Sequence, residues 1–161
     1  MIIFTENSNI MKKFASVDDI LDFAIGLEQD AVDFYKKLAT NSQTPDMKQV
    51  FEQFAREEIG HKARLTEVKE KGLYEMEPEV ITDLQIADYL VSIKPSPEMS
   101  YRDALILAMK REKAAFKLYM DLSERAPNQE MKSLFLSLAI EESKHKLRFE
   151  LEYDEFILRE N

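Results

Sequence analysis

The sequence predicts an all-α protein: a four-helix bundle made of two helical hairpins in up-down-down-up order, joined by a long crossover. Three observations carry this. The 161 residues include only three glycines and five prolines, and long stretches are rich in Ala, Leu, Glu, Lys and Met, all good helix formers. Apolar residues recur at alternating steps of three and four, the inward stripe of a bundle helix. Finally, an offset of 84 residues superposes the chain on itself, which marks a duplicated unit.

That offset places EEIGHKAR (57–64) on EESKHKLR (141–148), so the chain's only two histidines share one frame. Around them, Met47, Lys48, Phe51 and Ala55 fall on Met131, Lys132, Phe135 and Ala139. Upstream, Ser16, Asp19, Leu21, Ala24, Glu28, Ala31, Tyr35 and Leu38 fall on Ser100, Asp103, Leu105, Ala108, Glu112, Ala115, Tyr119 and Leu122.

Residues 1–15 read as a mobile or loosely docked arm. Ser16-x-x-Asp19 opens the first helix as a capping-box-like start, and the stripe Leu21, Ala24, Glu28, Ala31, Tyr35, Leu38 carries it to about 41. NSQTP (41–45) breaks the chain, with Pro45 placed at the first position of a second helix that runs to 71. Its stripe is Met47, Phe51, Phe54, Glu58, His61, Leu65 and Val68. Residues 72–99 hold Gly72, Pro78, Pro95 and Pro97 and a short helical stretch at 83–90, too long a connection for a tight turn. A helix of this size is roughly 39 Å long at 1.5 Å per residue, and an extended crossover can run back along it. Ser100-x-x-Asp103 then opens a third helix over 101–125. RAPN (125–128) turns the chain into a fourth over 128–156. The whole reads as one domain of two hairpins, 16–71 and 100–156.

Composition narrows the function. With no cysteine, thiolate catalysis, disulfides, iron–sulfur clusters and Cys-ligated zinc are excluded. A net charge of −9 with intermixed signs argues against nucleic acid or an anionic membrane as partner. No apolar run is long enough to span a bilayer, and MIIFTENSNIMKK lacks the pattern of a secretory signal, so the expected location is cytoplasmic.

Each stripe is interrupted by acid. Glu28 and Glu58 are equidistant from the first turn, Glu112 and Glu142 from the second, roughly 22 Å along each helix. Glu58-x-x-His61 and Glu142-x-x-His145 each present both side chains from one turn. Four carboxylates and two imidazoles in a dry core are unfavourable unless compensated, and two divalent cations balance four negative charges. The donors suit iron or manganese, with zinc also compatible. One Glu from each of two helices plus a Glu-x-x-His from each of the other two is a dinuclear carboxylate arrangement. The predicted metal residues are therefore Glu28, Glu58, His61, Glu112, Glu142 and His145. Tyr35 and Tyr119 lie two turns beyond Glu28 and Glu112, where their hydroxyls can meet the metal-binding groups. Glu57 and Glu141 sit one residue off the stripe and read as solvated or as outer partners of the ligands. Small Ala24, Ala31, Ala108 and Ala115 leave room beside the glutamates.

The pattern E-x6-Y, E-x-x-H, E-x6-Y, E-x-x-H resembles the ferritin-like di-iron carboxylate superfamily, most closely its rubrerythrin branch, over roughly residues 16–150. The resemblance implies a ferritin-like bundle with two iron ions. Glu28, Glu112, His61 and His145 would be terminal ligands, Glu58 and Glu142 bridging ones, and Tyr35 and Tyr119 the tyrosines behind them. It also implies homodimers and oxidoreductase chemistry with peroxide or dioxygen in oxidative stress. Two departures stand out. The chain ends at Asn161 without the four cysteines of a rubredoxin-like domain, so a separate electron-donor protein is expected. A further glutamate near the metals on the third helix is also missing: the inward neighbours of Glu112 are Ala108, Met109, Ala115 and Phe116. Ferroxidase or iron handling is the alternative activity, dioxygen-activating hydroxylation a smaller one. A non-catalytic, metal-stabilised helical binding module is the rival from another class, and a metal-free bundle the plainest case.

Overall fold

A computed structural model describes residues 14–72, 84, 86–91, 95–96 and 98–160. Residues 1–13 of the expected arm and most of the crossover lie outside the described residues. Four long helices make up the described fold: α1 (Val17–Thr40), α2 (Pro45–Lys71), α3 (Tyr101–Glu124) and α4 (Gln129–Glu160), with a short 3₁₀ turn at Ile86–Tyr89. No strand occurs among the described residues.

The helix starts are fixed by side chains that take up otherwise unpaired backbone N–H groups. Ser16 Oγ accepts from Asp19 N at 3.1 Å and Ser100 Oγ from Asp103 N at 3.1 Å. Thr44 Oγ1 accepts from Met47 N, with Pro45 in the first turn, and Asn128 Oδ1 accepts from Met131 N. Helix α2 ends on Gly72 at φ 59°, a left-handed cap that glycine adopts without a Cβ penalty. Helix α4 runs four residues past the expected 156, to Glu160.

Pairwise contacts give the direction of each helix. Against α1, α2 runs antiparallel: Asp22 meets Lys69 and Gln29 meets Lys62. Helix α3 is also antiparallel to α1, since Glu28 meets Tyr119 while Phe34 meets Arg111. Helix α4 is antiparallel to α2, with Met47 against Arg148 and Arg64 against Ser137. The order is up-down-down-up, as the crossover length required.

The apolar core falls into two parts. One, at the α1 start, holds Ile20, Leu21, Leu65, Val68, Leu118, Leu122 and Phe135. The other, at the opposite end, holds Phe34, Leu38, Met47, Phe51, Leu105 and Phe149. Between them lies a layer of buried polar side chains. The arm is docked at least at its last part: Phe14 is buried and packs edge-on against Phe23, 5.4 Å between ring centroids, with Tyr89 at 6.3 Å.

Candidate metal centre

The polar layer contains all six residues expected there. Glu28 comes from α1, Glu58 and His61 from α2, Glu112 from α3, and Glu142 and His145 from α4, and each is no more than 2% exposed. Their donor atoms form two groups, Glu28–Glu58–His61–Glu142 and Glu58–Glu112–Glu142–His145, each with one atom per residue within 4.8 Å of the others. Glu58 and Glu142 belong to both. That sharing is what carboxylates bridging two cations require, while the remaining four residues each serve one group.

The imidazoles are oriented for this task. His61 Nδ1 faces inward, 2.8 Å from Glu142 Oε1 and 3.5 Å from both Glu28 Oε2 and Glu58 Oε2. His145 Nδ1 likewise faces Glu58 Oε1 at 2.8 Å and Glu112 Oε1 at 3.6 Å. The two rings lie nearly parallel, 6.3 Å between centroids. Each Nε2 points outward to a carboxylate from the opposite hairpin: His61 to Glu141, His145 to Glu57 at 2.5 Å. An Nε2–H that donates to a carboxylate fixes the tautomer and leaves the Nδ1 lone pair for a cation.

Glu57 and Glu141 are thus outer partners of the imidazoles as well as partly solvated, with side chains 40% and 41% exposed. Burial works against ionisation of Glu57, but hydrogen bonds from His145 and Gln53 hold its carboxyl below the usual range. Glu141 is braced by Arg64 at 3.2 Å. The two tyrosines differ. Tyr119 donates to Glu28, and burial together with that carboxylate pushes its hydroxyl pKa well up. Tyr35 stands edge-on to His145, 6.3 Å between centroids, but its hydroxyl has no partner. Phe54, expected on the inward stripe but not in the site, stacks on His145 at 4.0 Å and 27°. Glu152 is also buried, yet Tyr101 and Arg159 satisfy it at 3.1 and 2.8 Å, so it needs no ion.

The layer itself is under-satisfied. Glu28 Oε2, Glu58 Oε1, Glu112 Oε2 and His145 Nδ1 make no hydrogen bond. His145 Nδ1 and Glu58 Oε1 are close enough for one, but misaligned, as two donor atoms aimed at a common point would be. Each unsatisfied buried polar atom costs about 1–3 kcal/mol, more when charged. A cation among these oxygens and nitrogens removes that cost, so the residues fit a metal pair.

Without metal, protons take its place. Burial and the neighbouring Glu58 push Glu28 up to about 8, and burial with Glu112 and Glu28 holds Glu142 well above the carboxylate range. For the histidines, burial pulls the pKa down. Glu112 and Glu58 outweigh it and raise His145 to about 11; Glu142, Glu28 and Glu58 raise His61 still further. All four groups bind protons more tightly folded than unfolded, so the stability of the metal-free protein falls as pH rises from about 4.5 through 8 and beyond. Metal ions compete with those protons and bind better as pH rises. The melting temperature in EDTA is therefore expected to drop between pH 5.5 and 8, while the increment added by Mn(II) grows. Circular dichroism melts at several pH values check both trends.

Among the described residues no helix is long and apolar enough to cross a membrane. No curated protein matches the sequence. Among solved structures, the chain is similar to a hypothetical protein from Pyrococcus furiosus, with a TM-score of 0.70 and 29% identity, covering 86% of this chain and 89% of that one. The family model for rubrerythrin matches residues 19–153. With that match spanning all four helices and the buried Glu/His layer between them, the chain belongs to the rubrerythrin family.

Proposed function

We propose that this protein is a non-haem di-iron oxidoreductase that reduces peroxide or dioxygen, drawing electrons from a separate donor protein. The observation that carries the reading is the sharing of Glu58 and Glu142 between two four-residue groups. Held by these residues, two ferrous ions would supply the two electrons that reduction of such an oxidant needs. Glu58 and Glu142 would hold both ions, with Glu28 and His61 completing one site and Glu112 and His145 the other. Glu57 and Glu141 keep the imidazoles oriented through their Nε2–H groups. The apolar clusters above and below exclude bulk water, which strengthens each charge interaction inside. The test is stopped-flow oxidation of anaerobically reconstituted di-ferrous protein. Peroxide is expected to oxidise it much faster than free ferrous iron, and equal rates would remove the peroxidase assignment.

A second reading, iron handling, is favoured by a surface recess that reaches the histidines. It is lined by Phe54, Glu57, Gly60, His61, Arg64, Glu141, Lys144 and His145. Half-exposed carboxylates there give ferrous iron a path of acidic oxygens inward. Sustained turnover on added Fe(II), with ferric iron released, distinguishes this role from reduction of peroxide.

A further inference from the structure

Glu152 is a buried carboxylate that the metal centre does not use. It lies on α4 one turn beyond Phe149, 1% exposed, with the Tyr101 hydroxyl at 3.1 Å and Arg159 at 2.8 Å as partners. Tyr101 opens α3 and is only half-buried. Burial and the Glu152 charge hold its hydroxyl well above the ordinary phenol range. The phenol therefore stays protonated, and taking an electron from it means taking the proton too. Glu152 is placed to accept that proton.

The Tyr101 ring also reaches the centre through a row of packed rings. It meets Phe51 at 6.3 Å between centroids, Phe51 stacks on Phe149 at 5.9 Å, and Phe149 meets Tyr35 at 5.3 Å. Tyr35 in turn stands edge-on to His145. Such a row carries an electron between its ends without stopping on the phenylalanines, which are far harder to oxidise than a phenol. The other described tyrosines are poorer stopping points. Tyr35 has no acceptor for its proton, and Tyr119 donates to Glu28, whose oxygens a cation would claim. Tyr89 donates to Asp121, but Lys117 lies over its ring at 4.9 Å and opposes the loss of an electron. Tyr153 accepts a hydrogen bond from Arg102, a cation with the same effect.

We propose that Tyr101 is a one-electron relay, giving an electron to the metal centre along this row and its proton to Glu152. This deepens the proposed oxidoreductase reading and rests on it. Peroxide takes two electrons and two protons to become two waters. With only one electron it yields hydroxide and hydroxyl radical, a hazard whenever just one of the two irons is ferrous. In that state the ferrous ion supplies one electron and Tyr101 the other. Water supplies the two protons to peroxide. The Tyr101 O–H bond breaks, Glu152 gains its proton, and a neutral phenoxyl radical remains near the surface. One electron from the donor protein, with the proton returned by Glu152, restores the phenol. Arg159, on the rim of the pair, can turn to solvent while Glu152 is neutral.

The experiment uses full-length protein reconstituted anaerobically with iron and poised at one electron per centre. It is mixed with one equivalent of peroxide and frozen at a series of times for electron paramagnetic resonance. An organic radical is expected, its lines narrowed by ring-deuterated tyrosine, and protein loaded with redox-silent zinc should give none. Tyr101→Phe should abolish the signal. Glu152→Gln keeps an oxygen for the Tyr101 hydroxyl but removes the base. It should slow the appearance of the radical about a hundredfold, the low end of what a positioned proton acceptor contributes. A merely structural clamp between α3 and α4 would change the melting temperature and not this rate. A radical that persists in Tyr101→Phe, or an unchanged rate in Glu152→Gln, overturns the proposal. So does a wild type whose iron is oxidised with no radical formed, and each of these leaves the di-iron reading standing. A wild type that holds no iron, or whose iron peroxide does not oxidise, overturns both.

Discussion

Replacing Glu142 by Ala is expected to abolish binding of both metal ions, whereas replacing Glu28 by Ala is expected to abolish one. The difference follows from membership: Glu142 and Glu58 serve both four-residue groups, but Glu28 and Glu112 serve one each. Losing a shared carboxylate leaves each group three donors and takes away the negative charge that let two dications sit close together. Losing a terminal one leaves the opposite group complete. Elemental analysis after anaerobic loading reads the outcome as zero against one ion per chain. A finding of one ion in both variants would show that Glu142 does not bridge.

A gentler change at position 142 moves stability the other way when metal is absent. The metal-free layer holds four buried carboxyl groups that oppose one another and lack partners for several oxygens. A neutral amide in place of one carboxylate removes that repulsion and keeps an oxygen for His61 Nδ1, which lies 2.8 Å from Glu142 Oε1; an apolar residue would leave the buried imidazole unpaired, at a cost of about 3–5 kcal/mol. Glu142→Gln is thus expected to melt above wild type in EDTA and below it in saturating Mn(II). Such a crossing is what a site retained for binding, at some expense to the fold, predicts.

Most of this centre was legible because helical geometry is periodic. Once Glu28, Glu58, Glu112 and Glu142 fall on inward stripes at matching distances from two turns, their convergence needs only antiparallel packing. The caps at Ser16 and Ser100 were equally readable from the Ser-x-x-Asp pattern, whereas at the second helix only Pro45 was, and the Thr44 cap emerges from the structure. The outward half of the site was legible only as a choice, with Glu57 and Glu141 either solvated or outer partners of the ligands. Glu57 and Glu141 lie one residue off the stripe, and their bonds to His145 and His61 depend on the register between α2 and α4, which belong to different hairpins. The inequality of Tyr35 and Tyr119 was hidden for a similar reason. The two occupy matching positions, and only the packed neighbours decide that one hydroxyl reaches a carboxylate while the other finds no partner. The docking of Phe14 had no periodic signal at all, because it precedes the first helix.

The largest effect on folding is expected at Phe149. It is fully buried on α4, with ring centroids of Tyr35 at 5.3 Å, Phe54 at 5.4 Å and Phe51 at 5.9 Å. Phe149→Ala empties the point where α4 packs on both helices of the first hairpin, at a cost of about 3–5 kcal/mol. Against a total stability of about 5–15 kcal/mol, that lowers the melting temperature by on the order of 10 °C. The damage should not stop at stability. Phe54 stacks on His145, and Tyr35 stands edge-on to the same ring, so both walls of that imidazole lean on Phe149. A cavity there lets His145 rotate away from Glu58 and Glu112, while His61 keeps its own surroundings. Metal titration of the variant, below its melting temperature, should show one site weakened and the other close to wild type. Equal weakening of both would mean that the shared carboxylates, rather than the ring behind His145, transmit the packing defect.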